Sequence, residues 1–538
     1  MIESKISRRS AVGMLAAVAY TPFNMLGCGE QSSTSNSGGG SGGGGTTPPP
    51  PASTRPLYHL TPATEWINDP QRPLWINNTW NLWILWNGDY PTGNGTAWRR
   101  YTSSDLVNWT DQGISIPKYT TVYGDVWTGS SVIDTNNTAG YGAGAVIALM
   151  TMPCNTLGGQ GTGLWYSTNG GVSFQFGAIV QTNPNANNTQ IADLVFRDPC
   201  IFWHVPSERW VMSLAEIGKL SVYSSADLHA WTYQSGMLRS DLGTMECPHL
   251  FQLHLYNSDG STTTQDKWIL LCGANRTASY GFTAGTAYWV GSFDGITFTP
   301  HSITPQWLDG GPDFYATTVF ADANASDPLD YAYAIAWENN WDYAASMPTS
   351  GYWGQLSIMR QLKLQTVNGS AILINTPIAA QKSVFTSSVQ ASDQTISDSV
   401  SYNWPTISNN GSCLLSFTLS SNNGAWPTSV TLSVRRGDAY QTQIAFFPGT
   451  GNVSLNRSKC GPVVVVDGVW EGTYKVRCDF SAPVTVSVYV DMGSVEVFLN
   501  GGAAVMSCLI TAPATATTLA LTASGGSASI SDMVIQSA

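Results

Sequence analysis

The chain has 538 residues, enough for two or more domains, and 43% of its residues are hydrophobic. Charged residues make up only 11%, and acidic residues outnumber basic ones by 35 to 23, so the net charge is −12. This composition excludes a disordered chain, and its negative charge repels a phosphate backbone, so no nucleic-acid partner is predicted.

The first 28 residues have the features of an export signal. Lys5, Arg8 and Arg9 precede an apolar run over 11–19, which is shorter than the ~20 residues that span a bilayer. The sequence SRRS at 7–10 resembles a twin-arginine signal, and MLGC at 25–28 resembles a lipobox that would carry a lipid on Cys28. The segment predicts an extracellular or periplasmic protein, either released or anchored to the membrane.

Residues 29–56 are rich in Ser, Gly and Pro, and such a composition cannot bury enough apolar surface to fold. They are therefore predicted to be a linker. Among the nine cysteines, at least Cys200 and Cys247 are expected to be buried free thiols rather than disulfides. Because neither C-x-x-C nor H-E-x-x-H occurs, no metal site is predicted.

From residue 57, short apolar and aromatic runs alternate with turn residues, and this pattern predicts an all-β fold. A strand, a Ser or Asp turn and an aromatic residue recur from Tyr101, Tyr166, Tyr223 and Gly291. That spacing suits a four-stranded propeller blade, and four recurrences with flanking strands predict five blades over 57–378. The alternative is a chance similarity among hairpin turns.

Beyond about residue 375, apolar residues alternate with Ser and Thr, as in the valine series at 484, 486, 488 and 490. Period-2 strands separated by turns are typical of two packed antiparallel sheets. The sequence therefore predicts a C-terminal β-sandwich over 379–538.

Three acidic residues lie in rigid contexts. Asp69 and Asp198 each precede a proline directly, and Glu246 lies two residues before one. Proline cannot donate to a sheet ladder, so each acid is predicted at a strand end or edge, where inner propeller strands converge on a channel. Cleavage of a glycosidic bond needs one protonated and one ionised carboxyl, which close carboxyl groups can supply. A simple turn cap is the alternative for each acid.

The motifs around these acids resemble a known family. The sequences WINDP at 66–70, FRDP at 196–199 and ECP at 246–248 are similar, in order and spacing, to the signature blocks of glycoside hydrolase family 32. This family contains invertases, inulinases and levanases. Further similar blocks are VWTGS at 126–130, DFYA at 313–316, WENNW at 337–341 and DMGSVEVF at 491–498.

Membership of this family implies a five-bladed propeller followed by a β-sandwich, and cleavage of β-fructofuranosides with retention and without a cofactor. The matching motifs imply that Asp69 is the nucleophile, Glu246 the general acid/base and Asp198 the transition-state stabiliser. The expected partner is a fructan chain or oligosaccharide, bound by a monomer. The implied substrate contacts are Asn68, Gln71, Arg72, Trp86, Trp127, Thr128, Gly129, Ser130, Arg197, Tyr315 and Trp337.

The sequence NDPQRP at 68–73 departs from the family's usual N-D-P-N-G and resembles the levan fructotransferase branch. The main hypothesis is an exported fructan hydrolase that prefers levan to inulin or sucrose. The second is a transferase that forms difructose anhydride, in which Arg72 holds the leaving sugar. Arg72 could equally be a surface residue with a packed stem, or orient a second fructosyl unit before hydrolysis. The third is a non-catalytic sugar-binding propeller.

Overall fold

The computed structural model describes residues 55–538 except 155–158, 185–194, 275–283, 349–350, 399–401, 405–410, 463–464 and 467. The predicted export signal, Cys28 and nearly all of the predicted linker lie outside the described residues. The described chain is built from β-strands with only short 3₁₀ helices, which confirms the all-β prediction. In this part of the chain, no helix has the length and apolar character needed to cross a membrane.

Four sheets form the first region. The first sheet contains β1 (Glu65–Pro70), β2 (Leu74–Ile76), β3 (Thr79–Asn87), β4 (Ala97–Ser103), β5 (Thr110–Ile116) and β21 (Tyr352–Trp353). The second contains β6 (Gly129–Asp134), β7 (Ala145–Cys154), β8 (Gly159–Ser167) and β9 (Gln175–Thr182). The third contains β10 (Phe196–His204), β11 (Arg209–Glu216), β12 (Lys219–Ser225) and β13 (Thr232–Leu238).

The fourth sheet has nine strands, in two antiparallel groups joined by parallel pairing of β14 with β22. Its first group is β14 (Met245–Tyr256), β15 (Thr262–Ala274), β16 (Thr286–Phe293), β17 (Phe298–Pro300) and β18 (Gln306–Trp307). Its second group is β19 (Tyr315–Ala321), β20 (Ala332–Trp337), β22 (Arg360–Val367) and β23 (Ser370–Pro377). Strand β10 contacts β6 and β14, and β19 contacts β1 and β14, so the first strands of neighbouring groups lie together.

The recurrent sequence pattern is the turn between the third and fourth strands of a group. At three of these turns a serine hydroxyl at the end of the third strand accepts a backbone N–H bond of 2.8–2.9 Å from within the turn. These serines are Ser103, Ser167 and Ser225. Chance similarity therefore does not account for the repeat, because each copy occupies the same structural position.

Two sheets form the second region. One contains β24 (Ser387–Gln390), β25 (Gln394–Ser397), β27 (Cys413–Ser421), β32 (Val484–Val490), β33 (Ser494–Leu499), β34 (Ala504–Leu509) and β36 (Ser527–Ser537). The other contains β26 (Tyr402–Trp404), β28 (Ser429–Arg436), β29 (Thr442–Phe447), β30 (Asn452–Asn456), β31 (Thr473–Arg477) and β35 (Thr518–Ser524). The 3₁₀ helices of the chain are Val205–Ser207, Ala344–Ser346, Ala379–Val384, Pro448–Thr450 and Asn500–Gly502.

The core of the second region lies between its two sheets. The valines of β32 are buried there against Leu432 of β28 and Ile444 of β29. This arrangement is the predicted β-sandwich. Cys200 and Cys247 are buried free thiols, as predicted. The same holds for Cys272, Cys413, Cys460, Cys478 and Cys508.

Candidate active site

Each of the three acids lies where the register of a first strand is broken. The pairing of β1 with β3, of β10 with β11 and of β14 with β15 shifts beside Asp69, Asp198 and Glu246 respectively. A β-bulge leaves one residue out of the ladder and re-aims its side chain. Asp69 and Asp198 are thus left out of the ladder, and Glu246 is the last paired residue before its bulge.

The prolines explain these bulges, with one correction to the sequence prediction. Pro70 ends β1 as expected, but Pro199 and Pro248 lie inside β10 and β14 rather than at their ends. A bulge needs no N–H at that position, so the strand continues past the proline. The backbone is left-handed at Asp198 (φ 62°) and Cys247 (φ 49°).

Cys247 joins the acids into one buried cluster. Its backbone N–H donates to Asp198 Oδ2 at 2.9 Å, and its Sγ lies 3.7 Å from both that oxygen and Asp69 Oδ2. Its place beside Glu246 was the only sequence signal for this role. The structure thus brings the three acids of three separate strands together.

Asp69 is buried and held by two neighbours. The Thr128 hydroxyl donates to its Oδ2, and Asn68 Nδ2 donates to its Oδ1 at 3.1 Å. Burial raises the pKa of Asp69 to about 6, while the Thr128 hydrogen bond works in the opposite direction and the charge of Glu246 adds to the rise. A carboxyl with this pKa is largely ionised at neutral pH.

Both carboxylate oxygens of Glu246 have a partner. Arg197 Nη1 forms an ion pair with Oε1 at 2.9 Å, and the Tyr315 hydroxyl donates to Oε2 at 2.5 Å. Arg197 is itself oriented by Gln160, whose Oε1 accepts from Nε at 3.1 Å, and its guanidinium lies 5.8 Å from the Trp127 ring centre. These contacts fix the direction in which Glu246 points.

Asp198 is buried, and it lies close to the charge of Glu246. Burial and then the charge of Glu246 raise its pKa, and Arg197 opposes the rise. Its backbone N–H donates to Thr151 Oγ1 at 2.8 Å. Thr151 and Gln160 were not identified from the sequence, because both come from strands β7 and β8 and approach the site only through the fold.

Gln71, Gly129 and Ser130 form hydrogen bonds with the backbone next to the acids. Gln71 is fully buried, donates to the Asp69 carbonyl at 2.8 Å and accepts from the Gly129 N–H at 2.8 Å. A Cβ at Gly129 would lie 2.0 Å from the Leu149 carbonyl, so glycine is required there. Ser130 ties β6 to β10 through the Pro199 carbonyl at 3.0 Å.

Arg72 and Trp86 are not brought to the acids. Arg72 donates to the Ile201 carbonyl at 2.5 Å and to Cys200 Sγ at 2.9 Å. Trp86 instead carries the Arg99 guanidinium 4.5 Å from its ring centre. These contacts favour a packed Arg72 over either of its two sugar-binding roles.

Trp337 is fully buried and lies behind Trp66, with the two ring centres 6.0 Å apart. Trp66 in turn donates from Nε1 to Asn68 Oδ1 at 3.1 Å, so it continues the hydrogen-bonded chain to Asp69. Trp337 therefore supports the wall of the site through Trp66.

Two groups of side chains in the described part of the chain have metal-ligand spacing: His59 with Glu338 and Glu496, and His254 with Asp327 and Asp330. Neither group includes the three acids. Glu496 is already ion-paired with Arg360, and His254 Nε2 contacts Asp327 at 3.0 Å.

Neighbouring carboxyl groups with different hydrogen-bond partners are the groups that glycosidases use. Comparison with known families agrees with this class. The family model described as the glycosyl hydrolases family 32 N-terminal domain matches residues 59–377, and that of the family 32 C terminal matches residues 379–537. The chain belongs to glycosyl hydrolase family 32.

Individual relatives are similar over large parts of the chain. A levanbiose-producing levanase of Bacillus subtilis (strain 168) is 42% identical over 349 residues, which cover 64% of this chain and 65% of that protein. An extracellular exo-inulinase of Aspergillus niger is 31% identical over 486 residues, covering 83% and 87%. The crystal structure of an exo-inulinase from Aspergillus awamori superposes with a TM-score of 0.79 at 27% identity, covering 90% and 99%.

Proposed function

We propose that the protein hydrolyses β-fructofuranosidic bonds of fructans, with levan preferred to inulin and sucrose. The observation that carries this proposal is the clustering of Asp69, Asp198 and Glu246 around Cys247 in a member of this family. The similarity to a levanbiose-producing levanase favours levan as the substrate.

In the proposed mechanism, Asp69 attacks the anomeric carbon while Glu246 protonates the leaving oxygen. Glu246 then removes a proton from water, which releases fructose units from Asp69 with retained configuration. Thr128 and Asn68 orient the attacking carboxylate, and Arg197 and Tyr315 orient the acid. Asp198 contributes hydrogen bonding as the transition state becomes cationic.

The experiment is product analysis with levan, inulin and sucrose. Hydrolysis of levan should raise reducing sugar in step with bond cleavage, as fructose or short levan oligomers. A non-reducing difructose anhydride as the main early product would instead assign transfer, and binding without cleavage would assign a sugar-binding protein. In methanol, retention predicts methyl β-fructofuranoside, whereas the α-anomer would contradict the double displacement.

We further propose that the four sheets of the first region form five propeller blades, the nine-stranded sheet supplying two of them. The two antiparallel groups of that sheet and the convergence of the first strands support this count. The proposed domain bounds are 57–378 for the propeller and 379–538 for the sandwich. Limited proteolysis should not cleave within either domain, and the two domains should stay associated.

Export is proposed from the sequence of residues 1–28, and the naming of similar exo-inulinases as extracellular supports it. In a bacterial host, Cys28→Ser should move active protein from the membrane fraction to the soluble fraction at unchanged specific activity. If the two forms are equally soluble, the proposed lipid anchor is wrong and residues 1–28 act only as a secretion signal.

A further inference from the structure

A buried histidine lies among carboxylates where the two regions of the chain meet. His59 precedes β1, Glu338 follows β20, and Glu496 lies on β33 of the second region. Each offers one potential ligand atom, and these three atoms all lie within 4.8 Å of one another. All three side chains are fully buried. The fold thus gathers three ligand-type groups from distant segments at one point.

The orientation of His59 is set by Asp491. Asp491 Oδ2 lies 2.8 Å from His59 Nδ1. The Asp491 carboxylate also accepts from the backbone N–H groups of Leu57 and Tyr58, at 2.9 and 3.1 Å, so it acts as an acceptor and Nδ1 carries the proton. A histidine that donates to a carboxylate from one ring nitrogen commonly binds a metal through the other. That other nitrogen, Nε2, faces Glu338 and Glu496.

The distances around Nε2 match those between ligands of one ion. Nε2 lies 2.9 Å from Glu496 Oε1 and 3.5 Å from Glu338 Oε2. Two ligands that each lie about 2.0–2.2 Å from a tetrahedral zinc ion are about 3.3 Å apart. A proton on Nε2 can form a good hydrogen bond with the nearer carboxylate only, whereas one cation can bind all three groups.

Glu338 supplies a second and independent observation. Its Oε2 accepts from Gln355 at 2.6 Å, but its buried Oε1 has no hydrogen-bond partner in the described part of the chain. Arg360, the neighbouring guanidinium, is already shared between Glu496 and Asp309. A buried carboxyl oxygen without a partner is costly, and binding to a cation removes that cost.

We propose that His59 Nε2, the Glu338 carboxylate and Glu496 Oε1 bind one divalent cation, with Zn²⁺ preferred. An imidazole combined with carboxylates is a ligand set that suits Zn²⁺, whereas Mg²⁺ and Ca²⁺ take oxygen ligands. The ion would connect the start of the first region, the end of β20 and β33, so its role is to hold the two regions together. The three acids of the active site supply none of these ligands, and the inference is therefore independent of the proposed function.

Zinc and protons compete for the same atoms, so bound zinc should be released as the pH falls. The pH response of the protons alone is accordingly measured with a chelator present.

The test is zinc binding by the full chain after treatment with EDTA and dialysis against ZnCl₂. Metal analysis should find about one zinc per chain, and the unfolding temperature should rise by a few degrees because the ion binds the folded state. Glu338→Gln keeps the shape but not the charge, so it should bind zinc at least about tenfold more weakly and lose this rise. The matched control is His254→Ala, which removes the other group with metal-ligand spacing and should bind zinc like the wild type.

Equal zinc binding by the wild type and Glu338→Gln would overturn the proposal, as would loss of zinc in His254→Ala. Stabilisation by CaCl₂ or MgCl₂ but not by ZnCl₂ would also overturn it, since the imidazole would then have no role as a ligand. A second measurement needs no variant: Co²⁺ in place of Zn²⁺ should give the intense visible absorption of a four-coordinate site. The weak absorption of the hydrated ion would count against the site.

Discussion

At the scale of single residues, the site depends on carboxyl groups that differ in surroundings although they share one cleft. Asp69 accepts hydrogen bonds from Thr128 and Asn68, whereas Glu246 contacts Arg197 and Tyr315. Asn68, the sequence neighbour of Asp69, donates to that acid, whereas Cys247, the neighbour of Glu246, donates to Asp198. Such an asymmetry is what the proposed roles of nucleophile and acid/base require.

Asp69→Asn and Glu246→Gln should each lower kcat by about 10²–10⁴-fold or more, because each removes a chemical step rather than a packing contact. Both changes nearly conserve volume, so the unfolding temperature should change little. Steady-state kinetics on sucrose and levan, with thermal unfolding as the control, tests the assignment. Near-normal turnover by either purified variant would contradict it.

Thr128→Val should move the acidic limb of the kcat/KM profile to higher pH. The Thr128 hydroxyl stabilises ionised Asp69, so its removal raises a pKa that already stands at about 6, and more acid-sensitive activity follows. The matched control is Thr162→Val on β8, whose buried hydroxyl has no partner among the described residues. An unshifted limb in Thr128→Val would show that Asp69 does not set it.

The acids could be predicted from the sequence because proline marks them and acidic residues are scarce. Thr151, Gln160 and the bridging position of Cys247 could not, since their contacts join strands that are distant in sequence. A local pattern reports what stands beside an acid along the chain. It does not report which neighbouring strand supplies the hydrogen bond.

At the scale of strands, Arg72 links β1 to β10. Its guanidinium reaches the Ile201 carbonyl and Cys200, and Cys200 Sγ lies 3.3 Å from His249 Nδ1 on β14. Arg72, Cys200 and His249 each follow one of the three acids closely in sequence, so their contacts connect the same three chain segments a second time. The sequence left three alternatives for Arg72 because the bulge at Asp69 decides which way the following side chain points.

Arg72→Met should lower the free energy of unfolding by about 1–3 kcal/mol, because it removes a donor from partly buried partners. The ratio of levan products should not change, since Arg72 contacts the scaffold and not the acids. Denaturant unfolding and product chromatography measure the two effects separately. A changed product ratio at unchanged stability would return Arg72 to the sugar-binding role.

Strand patterns with short-range causes were predictable, whereas joins between distant strands were not. The turn repeat and the alternation in β32 each follow from local periodicity, and both occupy the expected positions. The parallel pairing of β14 with β22 unites segments about a hundred residues apart, so no local pattern indicates it. That pairing is why the sheets number four where the sequence predicted five separate units.

At the scale of the whole molecule, buried charges join the two regions. Arg360 of the first region pairs with Asp309 at 3.0 Å and with Glu496 of β33. His59 lies between Asp491, at 2.8 Å, and Glu496, at 2.9 Å. The motif DMGSVEVF at 491–498 therefore supplies the acids of the junction, a role that its sequence alone did not reveal.

Glu338 adds a further carboxyl to this junction. Its Oε2 lies 3.5 Å from His59 Nε2 and accepts from Gln355 at 2.6 Å. Burial raises the pKa of Glu338, as does the nearby charge of Glu496, although His59 opposes the rise. The pKa of His59 is also raised, because neighbouring acids outweigh its burial.

The signs of these shifts predict an alkaline loss of stability. Raised folded-state pKa values mean that the stabilisation from Glu338 and His59 is complete below their ordinary values of 4.5 and 6.5 and disappears as pH rises through the folded values. Asp491 and Glu496 have lowered pKa values, so their contribution is instead lost as the solution becomes acidic.

Glu338→Gln should therefore flatten the alkaline side of the stability profile. Glutamine keeps the shape and can still accept from Gln355, but it cannot ionise beside Glu496, so the penalty for a buried second charge disappears. Unfolding temperatures measured from pH 5 to 9 should fall less steeply with rising pH in this variant than in the wild type. Glu471→Gln, at an exposed position, should follow the wild-type profile. If Glu338→Gln loses stability in parallel with the wild type above pH 7, the alkaline loss arises from His59 or elsewhere and not from ionisation of Glu338.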